Sequence, residues 1–112
     1  MAAKLNYAIL FVSNMEEAVH FYRDVIGMKL KYQTPYWTEF DTGQTSLALH
    51  PSSDQNPPGK VQLGIGVGDL PAFVEQMTTL GLTFTQPPTE RAGEQIARFL
   101  SPDGAEISVS GR

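Results

Sequence analysis

The chain has 112 residues, 41% hydrophobic and 18% charged, with a formal net charge of −4 and no cysteine. That length suits one compact domain with a real core, and the missing cysteines exclude a disulfide framework, a thiolate metal site and a cysteine nucleophile. A reducing, cytoplasmic setting is expected. No nucleic-acid partner is expected because no basic stripe faces phosphates, and no membrane partner because no apolar run approaches spanning length.

Leu5–Val12 is nearly continuous in apolar and aromatic residues and reads as a central strand. Ser13-Asn14-Met15-Glu16 reads as a capping box that opens a helix over Met15–Ile26. Met15, Ala18, Val19, Tyr22, Val25 and Ile26 recur at helical spacing and predict its buried face. Glu16, Glu17, His20, Arg23 and Asp24 fall on the other face, where His20 is a solvated surface histidine. Gly27 is the left-handed stop. Met28–Thr34 is a strand bent at Thr34-Pro35, Tyr36–Asp41 alternates, Thr42-Gly43-Gln44 turns, and Thr45–His50 returns. Pro51–Gly59, rich in Pro, Ser, Asp and Asn, is a linker.

The order then repeats. Val61–Val67 is a strand, and Leu70–Leu80 a helix capped by Asp69, with Pro71 in its first turn and Gly81 as its stop. Leu70, Phe73, Val74, Met77 and Leu80 predict its buried face. Leu82–Thr85 is a strand ended by Pro87-Pro88, and Gln95–Leu100 pairs with Ala105–Ser110 across Ser101-Pro102-Asp103-Gly104. The helix entries match, Val12-Ser13-Asn14-Met15 against Val67-Gly68-Asp69-Leu70. A single domain over residues 1–112 therefore divides into a βαβββ module at 4–50, a linker at 51–59 and a second βαβββ module at 60–110. Gly64 and Gly66, inside a strand, mark the close approach of a ligand or of other chain. The Gly64–Gly68 run lacks the dinucleotide pattern and a Gly-Lys-Ser/Thr, so it is not read as a phosphate loop.

Phe21-Tyr22-Arg23-Asp24-Val25-Ile26-Gly27-Met28 resembles the helix-end signature of the vicinal oxygen chelate superfamily, the group of glyoxalase I, extradiol dioxygenases and bleomycin-resistance proteins. Ser101-Pro102-Asp103-Gly104 resembles its Asp-Pro-Asp-Gly turn, and Leu47-Ala48-Leu49-His50 the close of its first module. The resemblance runs from Leu5 to Ser110. It implies an α+β fold in which two tandem βαβββ modules form a curved mixed-sheet cup with helices on the convex side. Strand alternation then sends Tyr7, Ile9 and Phe11, Ala48 and His50, Gln62, Gly64 and Gly66, and Glu106, Ser108 and Ser110 into the cup. Trp37 and Glu39 join them, with Phe40 in the core. The candidate ligand-binding residues are Tyr7, Phe11, Trp37, Glu39, His50, Gln62, Glu106 and Ser108. No catalytic residue is assigned.

Metal-dependent members of that superfamily hold a divalent ion at four places, which here carry Tyr7, Ala48, Gln62 and Ser108. Only Gln62 is a plausible ligand, so no cofactor is expected. A displaced site would use His50, Gln62 and Glu106, each of the outer two lying two residues, about 6.5 Å, from an empty place. The leading expectation is a metal-free small-molecule binder of the bleomycin-resistance type, a homodimer holding an aromatic or cationic ligand in the cup. The alternatives are a divalent-metal-dependent lyase, isomerase or dioxygenase similar to glyoxalase I, and a non-catalytic interaction module.

Overall fold

The computed structural model describes residues 3–112 and follows the duplicated order. The chain divides into two compact units, Tyr7–Val61 and Gln62–Arg112, the second also including residues 3–6.

The first unit contains β1 (Lys4–Val12, from Tyr7 onward), α1 (Met15–His20), β2 (Lys29–Gln33), β3 (Thr38–Asp41) and β4 (Ser46–Pro51). Its strand order is β2-β3-β4-β1. β1 and β4 run parallel, with Tyr7 opposite Ser46 and Phe11 opposite His50, while β3 is antiparallel to both neighbours. Strand alternation sorts the side chains into two layers. Leu10, Val12 and Leu47 pack with Leu49, Phe40, Met15, Ala18, Val19 and Tyr22 on the helix side. Ile9, Phe11 and Ala48 pack with Tyr7 and Trp37 on the other side.

The first helix departs from its expected form. Its N-cap is Asn14, not Ser13: the Asn14 Oδ1 accepts from the Glu17 amide at 3.0 Å. Asn is at least as good a cap as Ser, and here it has the extended backbone a cap needs. After His20 the chain widens into a π-helical segment, Phe21–Ile26, ended by Gly27 at φ 90°. A π turn closes i→i+5 bonds, so side chains no longer recur at 3.6 residues. Tyr22 still reaches Phe40, but Val25 and Ile26, expected in the buried face, are 62% and 53% exposed.

The expected linker is also better ordered than its composition suggests. Pro51 ends β4, and the amide of Gly59 and the carbonyl of Lys60 bond to the Phe11 backbone at 2.9 and 3.0 Å. Lys60 Nζ donates to the Asn56 side chain at 2.9 Å.

The second unit contains β5 (Val61–Gly66, from Gln62 onward), α2 (Leu70–Thr79), β6 (Phe84–Arg91), β7 (Glu94–Leu100) and β8 (Glu106–Gly111), in the order β5-β8-β7-β6. β5 and β8 are parallel, with Gly64 opposite Ser108. Asp69 caps α2 by accepting from the Ala72 amide at 3.0 Å. Leu70 and Phe73 bury against Val67, Ala97, Phe99 and Val109, with Val74 and Met77 beside them. Leu80, expected in that face, lies past the helix end and is 77% exposed. β6 does not end before Pro87-Pro88 but runs through them to Arg91. It is the outer strand of its unit, where a missing amide donor is tolerated, and its register against β7 shifts between Gln86 and Thr89. Gly66 marks the close approach of other chain: a Cβ there would collide with the Asn6 side-chain amide. Among the described residues no helix is long and apolar enough to cross a membrane.

Candidate functional site

In the first unit the sheet face away from α1 is built around Glu39. β3 places this carboxylate between Thr38 and Phe40, and it is only 4% exposed. A buried carboxylate needs donors. Glu39 Oε1 accepts from Trp37 Nε1 and from the Tyr32 hydroxyl, both at 2.9 Å, and Lys31 Nζ stands 3.5 Å from Oε2. The tyrosine's own titration is pushed up, first by burial and then by its bond to Glu39. Trp37 is placed by the turn before it. The Thr34 hydroxyl accepts from the Trp37 amide at 2.9 Å and donates to the Trp37 carbonyl at 2.8 Å.

Rings surround this indole. Tyr7 meets Trp37 edge-on with centroids 5.3 Å apart, His50 lies 6.3 Å from Trp37, and Phe11 packs 5.2 Å from His50. Tyr7, Trp37 and His50 are each only partly buried, so the cluster keeps aromatic surface uncovered. His50 Nδ1 lies 2.8 Å from the Pro51 carbonyl, which can only accept, so that nitrogen carries the proton.

The corresponding face of the second unit is polar. Glu106 Oε1 accepts from the buried Gln62 at 3.2 Å, and Oε2 accepts from Thr85 Oγ1 at 2.7 Å. Ser108 stands opposite Gly64 on one side and Arg98 on the other. Ala97 and Phe99 enter the helix-side core, so Arg98 between them projects to this polar face. Its Nε is buried and meets no hydrogen-bond partner among the described residues.

All eight residues picked from the sequence thus fall on these two faces: Tyr7, Phe11, Trp37, Glu39 and His50 on the first, Gln62, Glu106 and Ser108 on the second. Within each face they meet: Trp37 with Glu39, Tyr7 and His50, and Gln62 with Glu106. Sequence reading passed over Lys31 and Tyr32, which complete the Glu39 network, and Thr85 and Arg98. A long donor two strand positions from the next inward one is the signal that Arg98 offered; nothing local marks its lack of a partner.

The donor set does not fit a divalent cation at the family's four places. Ala48 has no donor atom, Tyr7 and Ser108 offer only neutral hydroxyls, and Gln62 contributes a single amide oxygen. Among the described residues no three His, Cys, Asp or Glu side chains gather in a metal-holding group. The structure also forms two open depressions. One of about 450 Å³ is lined by Met77, Leu82, Leu100 and Pro102. The other, about 340 Å³, lies by the start of α1, between Asn14 and Pro58.

These modules define an α+β protein of paired βαβββ type. The chain matches the model of the Glyoxalase/Bleomycin resistance protein/Dioxygenase superfamily over residues 4–109, and it belongs to that superfamily. An uncharacterized protein of Mycolicibacterium smegmatis is 28% identical over 95 residues, 84% of this chain and 81% of its own. A hypothetical protein from Bacillus halodurans superposes with a TM-score of 0.84 at 16% identity, covering 100% of this chain and 96% of that one. Methylmalonyl-CoA epimerase from Mycobacterium tuberculosis gives 0.78 at 18% identity, covering 96% and 86%. At such identities the solved structures speak for the fold alone.

Proposed function

We propose that this protein is a metal-free small-molecule binder of the glyoxalase/bleomycin-resistance type, taking a flat aromatic ligand, cationic ones included, on the Tyr7–Trp37–His50 face. The observation that carries this reading is the Trp37 indole, held in place by Glu39 through Nε1 while its ring remains partly uncovered. A pinned ring loses little entropy on stacking, and its π face also attracts cations. The buried charge of Glu39 supports orientation more than ligand charge, because Tyr32, Trp37 and Lys31 already attend it.

Trp37 is the only tryptophan, so its emission reports on this face alone. Titration with neutral and cationic aromatic compounds is expected to quench it saturably and to raise the melting temperature. A panel that neither quenches nor stabilises would overturn the reading. The reading includes a homodimer, supported by the exposed apolar side chains Phe21, Val25, Ile26 and Leu63. Light scattering is expected to give twice the chain mass.

A further inference from the structure

We propose that Arg98 is the anchor for an oxyanion, a carboxylate or phosphate group carried by a small organic ligand. The proposal rests on the reading of the protein as a small-molecule binder and names the class of ligand group that the second unit's face takes.

Three observations lead to it. Arg98 lies within the sheet, on β7 between β6 and β8, opposite Gln86 on one side and Ser108 on the other. It is a partly buried cation flanked on its own face by half-buried Ile96 and Leu100. Its Nε is fully enclosed without an acceptor, an arrangement that costs free energy and is rare in native chains. The acid on the same face does not answer it. Glu106 gives one oxygen to Gln62 and the other to Thr85, and among the described residues no ion pair involves Arg98.

The guanidinium fork supplies what such a ligand needs. With Nε enclosed, the two terminal nitrogens are the atoms open to a ligand, and their N–H bonds suit the oxygens of a carboxylate or phosphate. Ser108, the Cα partner of Arg98 on β8, carries a hydroxyl on the same face of the sheet. The low-dielectric flank strengthens the pair, since water does not surround Nε. No bond is made or broken in this step; the site recognises charge and planarity.

The test uses the full chain with ¹⁵N-labelled arginine, in which Nε–H signals of Arg23, Arg91, Arg98 and Arg112 are followed by NMR. The Arg98 signal is identified by its loss in R98K. Benzoate and phenyl phosphate serve as probes, with benzyl alcohol as the neutral control. The proposal expects one anion to shift the Arg98 signal saturably, the responding probe identifying carboxylate or phosphate. It expects R98K and R98Q to weaken that anion's binding roughly 10- to 100-fold, as loss of a charge-assisted bidentate pair does, with R91Q unchanged. R98K keeps the stem and charge, so it holds the test open if R98Q fails to fold. An Arg98 signal unmoved by both anions, or an R98K protein that binds as well as the parent, overturns the proposal. Trp37 emission is read in the same samples. Quenching by benzyl alcohol with a silent Arg98 overturns this inference and leaves the aromatic reading standing. An Arg98 response without quenching by any aromatic does the reverse.

Discussion

The two units share a plan and differ in what they do with a carboxylate. In the first, Glu39 is buried and surrounded by its own donors, Tyr32, Trp37 and Lys31, and the rings of Tyr7, Trp37 and His50 lie around it. In the second, Glu106 is partly buried and bonded to neutral Gln62 and Thr85, while the cation Arg98 on the same face has no ion pair among the described residues. Duplication supplied the same strand positions twice, and the substitutions made one face aromatic and internally neutral, the other polar and short of an anion. Charge satisfaction, not motif content, separates the two faces.

The comparison can be broken first at the helix-side core, which the two units should need equally. Phe40→Ala, in the first unit, and Phe99→Ala, in the second, are each expected to cost about 3–5 kcal/mol in denaturant unfolding, Phe40 the more because it is fully buried. A second contrast is smaller. Glu39→Ala strips an acceptor from the part-buried Trp37 indole and from the Tyr32 hydroxyl and should cost about 2–3 kcal/mol, whereas Glu106→Ala at its more exposed position should cost about 1 kcal/mol. Equal losses would remove the distinction between the two carboxylates. A third change should go the other way. Arg98→Met replaces a partly buried cation with an unpartnered Nε by an apolar chain, and should leave stability unchanged or raise it by about 1 kcal/mol while abolishing the anion response.

The smallest expected effect is on pH dependence. Tyr32 titrates above its ordinary value, so the stability it contributes is complete below about pH 10 and is lost as pH rises through the folded-state value. Tyr32→Phe should remove that alkaline step from unfolding curves. Asp24 behaves oppositely. Its titration is lowered to about 2 by bonds from Arg23 and His20, so its contribution holds above the usual aspartate range and fades only as pH falls toward 2. At an exposed position, it should matter little in salt.

Much of the architecture was legible because it depends on short-range regularities. The alternation in Tyr7–Phe11 and in Leu47–His50 separated helix-side from opposite-face residues correctly, and Gly27, Asp69 and Gly81 stood where the helices stop or start. Asn14 took the cap from Ser13 because adjacent capping residues compete and the backbone decides between them. The π segment escaped because Phe21–Ile26 reads as an ordinary amphipathic turn. Pro87-Pro88 misled because a proline stop is reliable inside a sheet and weak in its outermost strand. At the faces, strand parity named Trp37, Glu39, Gln62 and Glu106. It could not say that Glu39 is satisfied and Arg98 is not, since satisfaction depends on residues from several strands. An arginine in a strand reads as a solvated charge until its Nε is seen enclosed.

The central claim is that the first unit's aromatic face is where a ligand stacks. The single indole N–H of Trp37, bonded to Glu39, tests it most directly. In ¹⁵N-labelled protein titrated with aromatic compounds, that one resonance is expected to move saturably, with the backbone amides of Tyr7 and His50 moving beside it. An indole signal that stays fixed while a compound demonstrably binds elsewhere on the chain would contradict the account.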